Sequence, residues 1–196
     1  MKHAIYTHSG HLFDFDAIEK QEIHIDDIVY SLAQTNRFCG RTPYPYSVAQ
    51  HSLLVEALCF TEDGRFHALL HDAAEAYVGD MPTPLKRLLP EYRAIEDRVQ
   101  ARIFERFKFN PKRTRAEVEW ADHAALVCEV IMMLPSEDYT LWGFTRNEVE
   151  WAKGYIADGS YIEAVGRYEI ANVRWSAHLA YHVARLFIDA AGNQHN

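Results

Sequence analysis

Apolar residues along this chain recur mostly three or four positions apart, the spacing of one face of an α-helix. Ile28, Val29, Leu32 and Ala33 follow Asp26, a residue type that caps helix N-termini, and predict a helix ending near Asn36. Gly40, Pro43 and Pro45 make residues Arg37 to Tyr46 a loop. Ser47 then caps a second helix with Val48, His51, Val55 and Leu58 on one face. A third runs from about Arg65 to Val78 and stops at Gly79, with Pro82 and Pro84 beyond. The fourth spans roughly Glu91 to Phe107, with Tyr92, Ile95, Val99 and Ile103 at helical spacing, and Asn110-Pro111 breaks it. Thr114 and Glu117 read as a capping box for a fifth helix, through Val118, Ala121, Asp122, Ala125 and Leu126 to Leu134. The same signature recurs at Thr145/Glu148 and Ser160/Glu163, and a last helix, about Val173 to Ala190, should bury Trp175, Leu179, Val183 and Leu186. Only the start departs from this period: Ile5-Tyr6 and Leu12-Phe13 flank Ser9-Gly10, which predicts a short β-hairpin. The expected architecture is all-α, a bundle of six or seven helices in one domain over residues 1–196.

Composition narrows the function classes. The chain has 196 residues and a formal net charge of −8, which disfavours a general DNA or RNA binder. Aromatics at 13% give it ample surface to bury, so disorder is not expected. Cys39, Cys59 and Cys128 are an odd number at wide spacing, neither a disulfide framework nor a cysteine zinc site, as suits a reducing cytoplasm. The longest apolar stretch, Ala124 to Leu134, is interrupted by Glu129 and is far shorter than the ~20 residues of a membrane span. No apolar signal segment opens the chain, so no membrane partner is expected. Tyr161, Tyr168, Trp175 and Tyr181 enrich the C-terminal third in aromatics and suggest a homo-oligomer.

Histidine is the unusual residue, with eleven copies. His51 shares the apolar stripe of the second predicted helix, and His71-Asp72 are flanked by Leu69, Leu70, Ala73 and Ala74 on the third. Asp122 holds a stripe position on the fifth, four after Val118. A lone buried carboxylate would cost several kcal/mol, so these groups need a partner. Two imidazoles and two carboxylates suit Zn²⁺, Mn²⁺, Fe²⁺ or Co²⁺ and leave coordination positions for water. A single core histidine is more often merely hydrogen-bonded; the spacing, His51, then His71-Asp72 twenty residues on, then Asp122 fifty further, is what favours a metal. His67 and His71 lie four apart, but Ala68 stands where a zincin motif needs Glu. His178 and His182 form a second such pair, better read as polar residues at a core edge.

The order H…HD…D resembles the HD-domain metal-dependent phosphohydrolases. AQHS around His51, LLHDAAEAYVGDMPTPLK from Leu69 to Lys86 and WADHAALV around Asp122 are similar to the branch that hydrolyses nucleotides, the bacterial 5′-deoxyribonucleotidases and phage dATP triphosphohydrolases. The similarity is dense from about Asp26 to Leu134 and thin beyond. It implies an HD-domain helical bundle with His51, His71, Asp72 and Asp122 as ligands of Zn²⁺, Co²⁺ or Mn²⁺, with Mg²⁺ suited to extra sites. It implies that Glu75 and Asp80 handle the attacking water and protons, or hold further ions, and that Arg37 grips phosphate. Phe38 takes the place of an aromatic, often Trp, that packs on the sugar, and Lys86 that of a lysine that meets phosphate. Arg41 is a further substrate-binding candidate.

These residue types match the chemistry. Phosphate-ester hydrolysis needs a nucleophile at neutral pH, charge neutralisation at phosphoryl oxygens, and a proton for the leaving group. The run Arg41 to His51 looks closer to the triphosphohydrolases, which favours a dNTP, dATP-like, hydrolysed to deoxynucleoside and triphosphate. Dephosphorylation of dNMPs by a 5′-deoxyribonucleotidase is the alternative, and a non-catalytic nucleotide-binding module is a third reading. The expected partner is a small nucleotide in the cytoplasm, a host's cytoplasm if the gene is phage-borne.

Overall fold

A computed structural model describes residues 3–135, 138–166, 174 and 177–179. Strands β1 (Ala4–Tyr6) and β2 (Leu12–Asp14) pair antiparallel with Ile5 opposite Phe13, the hairpin expected around Ser9-Gly10. Among the described residues the α-helices are α1 (Ile25–Gln34), α2 (Val48–Leu58), α3 (Glu62–Leu70), α4 (Glu75–Val78), α5 (Thr83–Lys86), α6 (Pro90–Arg106), α7 (Arg115–Met133), α8 (Arg146–Ala157) and α9 (Ser160–Val165), joined by loops and short 3-10 turns. The result is an all-α bundle with a small N-terminal hairpin. Among the described residues no helix is long and apolar enough to cross a membrane.

Helix α2 explains the arrangement. Every one of its residues except Ala57 is buried, the signature of a helix packed on all sides. It lies against α1, α3, α7 and α9. Val48, Ala49 and Leu53 face a cluster formed with the hairpin, α1, α3 and α6, where Phe13, Ile28, Leu32, Phe66 and Ile103 are buried. Leu54, Val55 and Leu58 face a second cluster built on α7, α8 and α9, with Ala121, Val127, Val149 and Tyr161. His51 therefore sits on the helix shared by both cores.

Several elements differ from the sequence reading. Asp26 lies inside the first turn of α1, which starts one residue earlier behind His24. The predicted third helix is two pieces. His71 Nδ1 donates to the Ala68 carbonyl at 2.6 Å, the acceptor that an unbroken helix would offer to the Asp72 N–H. From there the backbone tightens to three-residue bonds, Ala73 N–H to Leu70 and Glu75 N–H to Asp72. Thr114 and Glu117 do not form a capping box. Thr114 Oγ1 bonds His67 Nδ1 at 2.9 Å, while the Glu117 carboxylate accepts from the backbone of Phe60 and Thr61 and from the Thr61 hydroxyl at 2.6–2.7 Å. Glu117 thus secures the start of α3 rather than of its own helix. The box at Thr145/Glu148 does form, and Ser47, expected as a simple cap, forms one with Gln50. That at Ser160/Glu163 does not, because left-handed Gly159 is the cap.

Tyr161, expected at an interface, is buried within the chain beside Met133. Of the other C-terminal expectations, Leu179 is buried, whereas Tyr168, Val173, Trp175, Tyr181, His182, Val183 and Leu186 lie outside the described residues. Exposed aromatics occur elsewhere, in a row of Phe60, Trp120 and Trp151.

His67 gives the core an acid-sensitive point. It is buried against Phe104 and Phe109, and burial together with the His71 and Arg115 charges lowers its pKa to about 4. Held neutral when folded and titrating near ~6.5 when unfolded, it contributes stability that is full above that pH and lost as pH falls towards 4. With metal chelated, His67→Gln, which keeps an amide for Thr114, is expected to flatten the fall in melting temperature between pH 6.5 and 4. An unchanged slope would exclude His67 as its source.

Candidate metal centre

The centre begins with how its loop is clipped. Arg37 N–H donates to the Tyr46 carbonyl and Val48 N–H to that of Thr35, both at 2.9 Å, so the ends of the α1–α2 loop are held together. Ser47 and Gln50 then cap α2 reciprocally, which fixes its first turn and with it His51. Inside the loop Phe38 and Cys39 have φ of +55° and +53°, a left-handed conformation costing roughly 1–2 kcal/mol per residue. This strain lies next to Arg37, whose guanidinium carbon is 5.5 Å from the centre of the Phe38 ring.

His51 is fully buried, and its Nε2 lies 3.0 Å from Asp122 Oδ1, 3.3 Å from His71 Nε2 and 3.6 Å from Asp72 Oδ2. His71 Nε2 is 3.3 Å from Asp72 Oδ2 and 3.9 Å from Asp122 Oδ1. The four residues named from the sequence thus converge from α2, the α3–α4 turn and α7. Ligand atoms of His51, His71 and Asp122 all lie within 4.8 Å of one another, a grouping able to hold a metal ion.

The tautomers suit that role. His51 Nδ1 donates to Glu129 Oε1 at 2.6 Å, and His71 Nδ1 donates to the Ala68 carbonyl. A carboxylate and a carbonyl only accept, so both Nδ1 atoms carry hydrogen and both Nε2 atoms face the cluster, where each offers a metal a lone pair once its own proton is displaced. The two Nε2 atoms lie 3.3 Å apart, close enough to share one cation, a proton or a metal ion. Burial and the Arg37 charge oppose a proton on His51, yet Glu129 and Asp122 outweigh them and push its pKa up to about 10. Burial likewise opposes the Asp72 carboxylate, but His71, His51 and Arg37 hold its pKa well below the usual range. The donor set is compatible with a divalent metal.

A second set of charges adjoins it. Arg37 Nη1 is 3.6 Å from Asp72 Oδ2 and Nη2 is 3.1 Å from Glu129 Oε2; its side chain is 13% exposed and not the solvated surface charge such a residue usually is. Glu75 is buried, with Oε2 lacking a hydrogen-bond partner among the described residues. Burial, with the charges of Asp72 and Asp80, pushes its carboxyl well above the usual range. Asp80, half-buried, is shifted upward by burial, with Arg37 opposing. Lys86 Nζ lies 3.9 Å from Glu75 Oε1 but is held by Glu96 at 2.7 Å. Arg41 is exposed, and among the described residues its side chain joins no ion pair of the cluster.

Glu129 and Tyr46 were not singled out as site residues by the sequence reading. The signal for Glu129 was present: a charge within an otherwise apolar stretch, seven residues and so two turns after Asp122 on one face. Tyr46 carried no such signal. His123 points away and pairs with Glu148 at 2.8 Å, and His178 pairs with Glu56 at 2.5 Å rather than with a second metal cluster.

No family model matches the chain. It is 43% identical over 125 residues to the uncharacterized protein YfdR of Escherichia coli, an alignment covering 64% of this chain and 69% of that protein. It is also 42% identical over 108 residues to an uncharacterized protein of Rhodobacter capsulatus, covering half of this chain and 55% of the relative.

The geometry carries a direct expectation. Purified protein should hold about one tight divalent ion per chain, as one shared cluster of ligands dictates. His51→Ala and Asp122→Ala should each lose it by elemental analysis. Full metal content in both variants would exclude the cluster as the binding site.

Proposed function

The chain belongs to the family of Escherichia coli YfdR; from the geometry of the cluster and the resemblance of its motifs to the HD-domain phosphohydrolases, we propose that it is a divalent-metal-dependent phosphohydrolase of deoxynucleotides on an HD-domain fold. The observation that carries this reading is the pairing of two committed imidazole tautomers with two carboxylates, directly beside a buried arginine 3.6 Å from one of them. A cation site and an anion grip in contact are what a phosphate ester requires. His51, His71, Asp72 and Asp122 would hold the metal, with Zn²⁺, Co²⁺ and Mn²⁺ suited to the donors. When bound, such an ion polarises phosphoryl oxygens and lowers the pKa of water.

The chain's own residues account for the rest. Arg37 takes a phosphate oxygen through a charge-assisted bond without leaving its carboxylate partners. In the favoured reaction the oxygen of water joins the α-phosphorus of a dNTP as the bond from phosphorus to the 5′ oxygen breaks. Glu75 gives the 5′ oxygen its proton, a role suited to a carboxyl whose pKa is raised by burial and by the Asp72 and Asp80 charges. A neighbouring cation would draw that pKa back towards the working range. Asp80 takes the proton that the attacking water gives up, which balances the one Glu75 donates, and Phe38 offers its ring to the sugar at the strained loop. Lys86 supplies a second positive charge, tempered by Glu96, and Arg41 sits further out at the rim. Preference for dNTP over dNMP rests on the resemblance of residues 41–51 to the phage dATP triphosphohydrolases.

Arg37→Ala is expected to leave metal content intact and lower kcat/KM by an amount equivalent to ~2–4 kcal/mol. Parent-like kinetics would reduce Arg37 to a structural charge. A panel of dNMPs, dNTPs and NTPs with Co²⁺, Mn²⁺ or Zn²⁺ should yield tripolyphosphate and deoxynucleoside from dATP. Phosphate release from dNMPs alone would assign the monophosphatase chemistry instead, and inactivity throughout would reject the enzymatic reading.

A further inference from the structure

We propose that Glu129 is a positioning residue that sets the cation ligand His51 and the phosphate-gripping Arg37 together, so that the two halves of the site depend on one carboxylate. The inference rests on the metal-dependent reading of this site and deepens it. Glu129 is fully buried on α7, and its three partners divide between its oxygens. Oε1 accepts from His51 Nδ1 at 2.6 Å and from the Tyr46 hydroxyl at 2.9 Å, and Oε2 accepts from Arg37 Nη2 at 3.1 Å. With Nη2 held there, Nη1 of the same guanidinium is turned to Asp72 Oδ2. Through Oε1 the carboxylate fixes the His51 tautomer that presents Nε2 to the cluster. Through Oε2 it fixes the plane of the guanidinium, which determines where a bidentate phosphate contact can form. None of these bonds touches a substrate, so Glu129 acts wholly through its neighbours.

The division between the two oxygens makes the proposal separable by substitution. In Glu129→Gln the amide oxygen can keep the Oε1 position and accept from His51 and Tyr46, while the amide NH₂ faces Arg37, donor against donor. In Glu129→Leu both connections are lost. Co²⁺ affinity is measured by competition with a chelator, and binding of inorganic tripolyphosphate by calorimetry on Co²⁺-loaded protein. For Glu129→Gln we expect Co²⁺ affinity within about threefold of the parent, since the histidine's partner remains, and tripolyphosphate affinity reduced about tenfold or more. For Glu129→Leu, Co²⁺ affinity should fall about 10–100-fold. Adding Glu129→Gln to Arg37→Ala should cause no further loss of tripolyphosphate binding, because both changes remove the same contact.

Circular dichroism establishes that each variant is folded, and the Gln variant decides the matter if the Leu variant is not. Parent-like tripolyphosphate binding in Glu129→Gln, or full additivity in the double variant, would overturn the proposal. A parent protein that binds no Co²⁺ would overturn the metal-dependent reading beneath it, an outcome distinct from a parent that binds both probes with variants that fail to separate them.

Discussion

Glu129 brings a negative charge to a position without solvent exposure, where an unpaired carboxylate would cost several kcal/mol. Three donors from two different parts of the chain meet it: Arg37 and Tyr46 at the two ends of the α1–α2 loop, and His51 on α2. Burial alone would raise its pKa, yet Arg37 and His51 hold the carboxyl ionised and below its usual range. Satisfying that one charge therefore fixes the loop, the second helix and the seventh relative to one another. The cluster of His51, His71, Asp72 and Asp122 forms in front of it as a consequence of that docking.

The apolar framework makes such a concentration of charge tolerable. Helix α2 is covered on every side and contributes to both hydrophobic clusters, so His51 has little room to move. The tight turn after α3 presents His71 and Asp72 together, because His71 takes a carbonyl from the helical ladder and the backbone shortens to compensate. Beside the cluster, left-handed backbone falls at Phe38 and Cys39, between Arg37 and the open part of the loop. The packed helices and the turn after α3 carry the candidate metal ligands, and the strained loop carries Arg37, Phe38 and Arg41.

Helical periodicity and breaker residues were enough to locate α2, α6, α7 and the hairpin to within a few residues, because those signals are local. The same patterns misplaced two capping boxes. A Thr-x-x-Glu spacing states only that the box can form, and Glu117 found three donors at the start of α3 instead. The break at His71 was equally illegible, since it follows from a side-chain bond that competes with the backbone.

For the site, the sequence by itself determined which residues could serve as metal ligands: His51, His71, Asp72 and Asp122 are polar groups at apolar positions, and an apolar face forces such groups to find partners inside. What it could not determine was which partners they found. Only the tertiary structure brought Glu129 against His51, 78 positions away in sequence, and placed Arg37, 92 positions away, on the same carboxylate. Helical spacing orders neighbours three and four residues apart, whereas the contact between α2 and α7 depends on how two cores close around a shared helix. The choice of ligand types was local chemistry; the His51 tautomer and the burial of Arg37 were decided by packing, because both depend on an acceptor supplied by the distant helix α7.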